Sequence, residues 1–397
     1  MLIAATLSST VAFIPPFLLG ALAVPIRREL DFSDARLGVA VSVFFLTGAL
    51  GSVHAGRLAE RTGSRRGMAI SAWAAAALLI VLAVAAQSWW SLVACLALAG
   101  LVNALAQPAA DLALARGIAD HQQGTAFGLR TGAVPVATLL AGLAVPAIGL
   151  TVGWRWAFVS AALLAVLYWL AAIGLDSGFD PPRHTNGEPL PMMPLVVLAV
   201  SIGLGIGLQH AVSAFYVSSA VALGRSEASA GIWLAIGALS AGLGRALGGW
   251  LIDVTGRLSP PMIAALMLLG AAATATLGLH GGTVGLLLST VGAFAAGSGW
   301  NPLKVLMVVR AVPRAPAAAM GVVMVGAFGG GVLGPAGFGL LVERVGYRAA
   351  WPIAASCLVA AAALVLYAGP RLQRTQVAAA AVPGRGAAML EGAQRDD

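Results

Sequence analysis

Charge is scarce inside the apolar stretches of this chain, so the ionisable and amide groups found there are the first candidates for chemistry. Lys304 is the only lysine, and it falls within an apolar run, 193 residues after Asp111. An ammonium so placed has three uses: it pairs with Asp111 as a gating salt bridge, meets a solute carboxylate as a point charge, or snorkels to the edge of the apolar layer. Asn103, Gln107 and Asp111 recur at every fourth residue and so share one helix face. Trp300 or Asn301 with Lys304 makes a second stripe, Gln209, Ser213 and Tyr216 with His210 beside them a third, and Ser9, Phe13 and Phe17 a fourth. Together they fit a cavity with amide donors and acceptors, aromatic walls, one cation and one anion. The competing use is interhelical glue, since buried Asn and Gln often only join helices. Solute contact is expected at Phe13, Phe17, Asn103, Gln107, Gln209, His210, Ser213, Trp300, Asn301 and Lys304. Asp111 and His210 are the candidate proton carriers. His54 is read as packing; Arg130 and Arg245, near the cytoplasmic ends of the fifth and eighth apolar runs, are read as gate or interface residues, with solute binding as the alternative.

The elements that position these groups must live in lipid. Of 397 residues, 59% are hydrophobic and 10% charged, with mean hydropathy +0.92; a soluble domain carries about 25% charged residues. The 50 glycines fit close helix packing in a membrane. The net charge of +8 comes from arginines between apolar runs, a topology signal rather than a nucleic-acid footprint. Cys95 and Cys357 lie inside apolar runs with no metal-type spacing, so no disulfide, metal or cofactor is expected. Ala21-Leu22-Ala23 resembles a signal-peptidase site, but no basic residue precedes the apolar run, so residues 1–25 are read as a membrane span. The short lead into that span leaves an upstream start open.

Apolar runs of about twenty residues fall near 3–25, 36–57, 67–87, 91–115, 125–149 and 154–175, then near 193–218, 228–251, 261–280, 283–310, 317–342 and 350–368. The expected organisation is a six-helix bundle over 1–175, a linker over 176–192, a second bundle over 193–368 and a disordered tail over 369–397. Arg57, Arg61, Arg65, Arg66, Arg183, Arg257, Arg310, Arg314, Arg371 and Arg374 fall on one side. Arg27, Arg28, Arg36, Arg155, Arg225 and Arg348 fall on the other, partly offset by Glu29, Asp31, Asp34 and Glu227. The positive-inside rule makes the first side, with both termini and the linker, cytoplasmic. Within spans three, six, nine and twelve the apolar stretches, for example Ile70–Ala86 and Phe158–Gly174, carry no charge and are expected to face lipid, while spans four, seven and ten carry the costly polar groups.

The chain is also written twice. Gly56-Arg57-Leu58-Ala59-Glu60-Arg61-Thr62-Gly63 returns as Gly249-Trp250-Leu251-Ile252-Asp253-Val254-Thr255-Gly256, an offset of 193 shared by Ser33-Asp34 with Ser226-Glu227 and by Trp154-Arg155 with Tyr347-Arg348. Two similar hydrophobic halves can rock about a site between them. The motif at Gly56–Arg66, with Glu60 where Asp is usual, resembles the signature between helices two and three of the major facilitator superfamily. That resemblance covers the chain up to its tail and implies an all-α fold of twelve transmembrane helices in two pseudo-symmetric bundles. It further implies that Glu60 caps helix eleven and pairs with Arg116, that Asp253 and Arg310 form the mirror set, and that Gly56, Arg61, Gly63, Gly256 and the acid at Asp111 serve gating. Helix five departs from the antiporter pattern, since Gly132 and Pro135 are not adjacent; Gly334-Pro335 in helix eleven are.

No H-E-x-x-H, G-x-S-x-G or Walker motif is present, so an enzyme or a primary pump is not expected. The expectation is a monomeric secondary carrier of the cell membrane, moving a small organic solute by alternating access with proton coupling. One cation in the cavity tilts it towards organic anions. Drug or metabolite efflux is the nearest rival, and a non-transporting solute sensor is the rival of another class.

Overall fold

The computed structural model describes residues 2–117, 131–173, 190–255, 258–279, 282–312 and 316–380. Among them ten helices are long and apolar enough to cross a membrane. The last of these, Ala319–Gln373, has 55 residues. At 1.5 Å per residue it would run about 80 Å, far more than a bilayer needs. It is two spans: Gly346 has φ 70° and breaks the helix, a conformation that glycine adopts without strain. Ala133–Gly149 is a shorter apolar helix in the fifth position. With the last helix counted as two spans, the expected twelve are present. The chain is an all-α, multi-pass membrane protein.

Local sequence explains the ends of these helices. Span two (Asp34–Thr62) starts where the Ser33 hydroxyl accepts the Arg36 amide, and Asp34 lies in its first turn. The repeat counterpart, Ser226, accepts the Ser229 amide ahead of span eight (Glu227–Thr255) in the same way. Span two ends at Gly63, whose φ of 78° turns the chain into span three (Ser64–Ala85). Span one is Leu2–Ala21, and a short helix, Ala23–Leu30, follows it. Span four is Trp89–Gly117; span six is Trp154–Ala172, interrupted at Leu163. Span seven is Met192–Ala222, span nine Pro260–Gly278 and span ten Thr283–Ala311. The final helix continues to Ala380, past residue 369 where the tail was expected to begin.

Large apolar side chains stand exposed on spans three (Ile70, Trp73, Ile80), six (Leu163, Leu167, Trp169), nine (Leu268, Leu269) and twelve (Ile353, Val359, Leu366), as lipid-facing helices require. Within the halves, span two packs on four as eight packs on ten, and span three on four as nine on ten. Between the halves, span two meets eleven, five meets eight, and one meets seven. These pairings obey the 193-residue repeat. A Cβ on Gly38 would run into the Pro335 carbonyl of span eleven, and a Cβ on Gly231 would lie 2.7 Å from the Gly142 carbonyl of span five. Positions 38 and 231, like 142 and 335, lie 193 residues apart, so one contact is built twice about a pseudo-twofold axis.

Candidate functional site

Among the described residues, the polar contacts between the halves gather at one end. There Arg28 pairs with Glu227 at 2.7 Å, the Tyr347 hydroxyl donates to Asp34 at 2.7 Å, and the Ala35 amide donates to Glu343 at 2.9 Å. Deeper in, the Ala336 amide beside Pro335 donates to the Ser42 hydroxyl at 3.0 Å. Within the first half, Arg27 pairs with Asp34, and Glu29 accepts from the Trp154 indole at 2.7 Å and from Arg155 at 2.5 Å. Those bonds hold the Glu29 carboxyl below the usual range: the indole bond is the largest cause, burial opposes it, and Arg155 adds to it. At the other end a Cβ on Gly56 or Gly249 would meet nothing within 4 Å. Arg61 and Arg310 are exposed there. The side chains of Glu60, Arg116 and Asp253, and the whole of Gly256 and Arg130, lie outside the described residues, and with them the contacts expected of Glu60 and Asp253.

Where the fastened end gives way to the interior, aromatic rings from both halves meet. His210 of span seven stacks on Phe45 of span two, with centroids 4.1 Å apart and planes at 12°. Phe17 of span one meets His210 edge-on at 6.2 Å, and Phe13 follows Phe17 at 6.2 Å. Phe17 and His210 are repeat counterparts, 193 residues apart, so they face each other across the pseudo-twofold axis. His210 Nδ1 and Gln209 Oε1 are buried with no hydrogen-bond partner among the described residues. A buried unpaired polar atom costs about 1–3 kcal/mol, so these two are candidates for meeting a solute or water. Ser213 is buried on the same helix one turn on, and Tyr216 turns instead to Thr290 within the second half. On span four the expected face exists: Gln107 donates to Asn103 Oδ1 at 3.0 Å.

Span ten departs from expectation. Lys304 is fully buried and its ammonium donates to the Ser201 hydroxyl of span seven at 2.7 Å. Ser201 in turn donates to the Ala361 carbonyl of span twelve at 2.6 Å. The ammonium also lies 4.3 Å from the centre of the Trp300 ring, a cation–π contact. The expected Asp111–Lys304 ion pair is therefore not formed, because Lys304 points into its own half. Trp300 is likewise fully buried, with its indole donating to the Gly297 carbonyl and its ring filling the space over Gly205, where any Cβ would clash. Asn301 is half-buried on the same helix. A residue placed at the gate or interface, Arg245 of span eight, turns out to be 6% exposed. Its Nη1 donates to the Thr131 carbonyl at the start of span five, 2.7 Å away in the other half.

Comparisons with known proteins agree with this architecture. A profile of the Major Facilitator Superfamily matches residues 1–197. A bacterial homolog of the human lysosomal transporter Spinster, solved inward-facing and unoccupied, superposes with TM-score 0.70 at 18% identity, covering 94% of this chain and 96% of that one. The same protein in its inward-facing, occupied form gives 0.68 at 17% identity over the same shares. A D-xylose–proton symporter gives 0.70 at 17% identity, over 92% and 96%. A curated protein from Oryza sativa subsp. japonica, "Probable anion transporter 2, chloroplastic", is 31% identical over 160 residues, 40% of this chain and 30% of that protein. The chain thus spans under a third of that relative's length.

The profile covers the first half, the internal repeat carries its pattern into the second, and the fold likeness runs over nearly the whole chain. The chain belongs to the major facilitator superfamily. These relatives bear the names of transporters, none that of an enzyme.

Proposed function

We propose that this chain is a secondary active transporter that moves a small organic solute, an organic anion by preference, by alternating access. One observation carries the reading. Two repeat-related halves meet through twofold-related backbone contacts at one end, lack such contacts around Gly56 and Gly249 at the other, and hold unpartnered polar atoms of Gln209 and His210 between. By the placement of Arg57, Arg61, Arg65 and Arg66, the unfastened end faces the cytoplasm, so this conformation is inward-facing. The carrier works as a monomer in the cell membrane with both termini in the cytoplasm.

The anion preference draws on the likeness to an anion transporter over 160 residues. Proton coupling is part of the proposal, with Asp111 and His210 the titratable groups on spans four and seven. The test is flux. Proteoliposomes holding the full chain are expected to accumulate a labelled organic acid when an inward proton gradient is imposed, and to lose that accumulation when an uncoupler collapses the gradient. A protein that binds solute yet never equilibrates it across the vesicle wall is a sensor and sinks the carrier reading.

A further inference from the structure

Among the described residues of the second half two cations are buried, and the contacts there account for one of them. Lys304 has a hydroxyl acceptor and an aromatic face inside its own bundle. Arg245 meets one carbonyl among the described residues, that of Thr131, with a guanidinium of five donors. Its Nε has no partner, and no carboxylate lies within salt-bridge distance among the described residues. A guanidinium stays charged at any physiological pH, so it cannot escape burial by losing its proton.

Its place in the helix pair explains how it reaches the seam. Spans five and eight touch tightly near the fastened end, where Gly142 meets Gly231 and Ala235. Further along, a Cβ on Gly242 would still lie 3.8 Å from Pro135. One turn on, the small-residue contact gives out, and Arg245 spans the gap to Thr131. The repeat does not demand a cation here: its counterpart 193 residues earlier is Ser52, whose hydroxyl is tied to its own helix at Ala49. The charge is thus a feature of one half only, as a solute-recognising group needs to be and a purely symmetric strut does not. On span seven, His210 Nδ1 and Gln209 Oε1 are also unpartnered among the described residues, and the His210 ring is set between Phe45 and Phe17.

We propose that Arg245 is the anion-recognising group of the carrier, its free Nε edge taking the carboxylate of a small monocarboxylate whose flat apolar body lies towards Phe17, Phe45 and His210. This deepens the carrier reading and rests on it. A planar fork with parallel donors suits a carboxylate in a way that an ammonium cannot reproduce. With Lys304 engaged elsewhere, one cation calls for one carboxylate.

Benzoate and its neutral isostere benzamide are the probes, used on the full chain purified in detergent. Benzoate is expected to raise the thermal midpoint and benzamide not. Arg245→Gln is expected to weaken benzoate binding at least tenfold in calorimetry, and Arg245→Lys to weaken it less. Arg371→Gln, at the far end of the last helix, controls for net charge and is expected to match the wild type. No response of the wild type to benzoate, equal responses to benzoate and benzamide, or full benzoate affinity in Arg245→Gln with only a lowered midpoint each overturns the assignment; the last makes Arg245 a strut to Thr131. Should Arg245→Gln not fold, Arg245→Lys and the wild-type probe pair decide it. Undiminished benzoate flux in Arg245→Gln vesicles sinks this proposal and leaves the carrier standing, whereas Arg245-dependent binding without flux in any vesicle does the reverse.

Discussion

At the end built from residues 27–42 and 331–347, backbone meets backbone: Gly38 abuts Pro335, Gly339 abuts Asp34, and four polar contacts cross between the halves around them. At the end carrying Gly56 and Gly249, a side chain at either glycine would touch nothing within 4 Å. The 193-residue repeat maps each end onto itself, Gly38 onto Gly231 and Gly56 onto Gly249, so each end is built from matched segments of the two halves. Contacts between glycines bury little apolar area and are therefore cheap to part, while they hold the backbones closer than any side chain would allow. A molecule that must open the end it now closes is served by such contacts.

The largest effect is expected from filling them. Gly142→Leu puts a side chain where even a Cβ lies 2.7 Å from the Ala235 amide nitrogen and the Gly231 carbonyl. Overpacking of this kind costs about 1–3 kcal/mol, which moves a two-state equilibrium about 5- to 150-fold against the fastened form. Spin-label distances across this end are expected to lengthen, and flux to fall accordingly. Gly56→Leu sharpens the comparison, because it costs nothing in the present state and obstructs closure of the other end. Its distances at the fastened end should stay as in the wild type. The same shift from both substitutions would break the claim that the ends alternate.

Asp34 and Glu227 occupy the same position in the two repeats but should rank differently. Asp34 accepts from Tyr347 across the halves and pairs with Arg27, at 16% side-chain exposure. Hydrogen bonds to a charged group contribute about 1.5–3 kcal/mol, so Asp34→Asn should lower the thermal midpoint and loosen the fastened end measurably. Glu227 is as buried as Asp34, at 11% side-chain exposure, but its partner Arg28 is 69% exposed and its other oxygen has no partner among the described residues. A pair with so exposed a partner contributes about 0–1 kcal/mol, and Glu227→Gln also removes a buried, half-satisfied charge, so it should cost less than Asp34→Asn. Equal effects would mean that the clamp works as one network.

Much of this frame is legible in the sequence, because lipid leaves a helix few choices. Twelve apolar runs, the repeat that matches Ser33 to Ser226 and the Asn103–Gln107 face all follow from spacing alone. Side-chain direction across a helix pair does not. The stripe through Asn301 and Lys304 gives a face relative to its own axis, yet the neighbour that Lys304 reaches depends on Ser201 lying within hydrogen-bonding distance. A clue was present in Gly205 of span seven, which leaves room for the Trp300 ring, while Gly203 and Gly207 turn to the backbone of span eleven at Gly326 and Gly330. Arg245 was placed at a cytoplasmic end from hydropathy. Span eight runs on to Thr255, about 15 Å further at helical rise, so the arginine belongs inside the span, where its burial is costly and asks for a reason.

The smallest effect belongs to Glu29, which braces the fastened end from within one half. Its carboxyl is held below the ordinary range, first by the Trp154 indole and with help from Arg155, against an opposing contribution from burial. A depressed carboxyl stabilises the folded form above its unfolded pKa, near 4.3 for glutamate, and loses that contribution as pH falls through the lower folded value. Glu29→Gln still offers an oxygen to the indole but no charge to Arg155, so a modest deficit in thermal midpoint is expected at pH 7. The gap to the wild type should narrow below about pH 4, as the wild-type carboxyl protonates. Melting both proteins in the same detergent from pH 7 to pH 3 checks the sign: a gap that widens on acidification would mean that Glu29 is held neutral, and the brace would not be an ionic one.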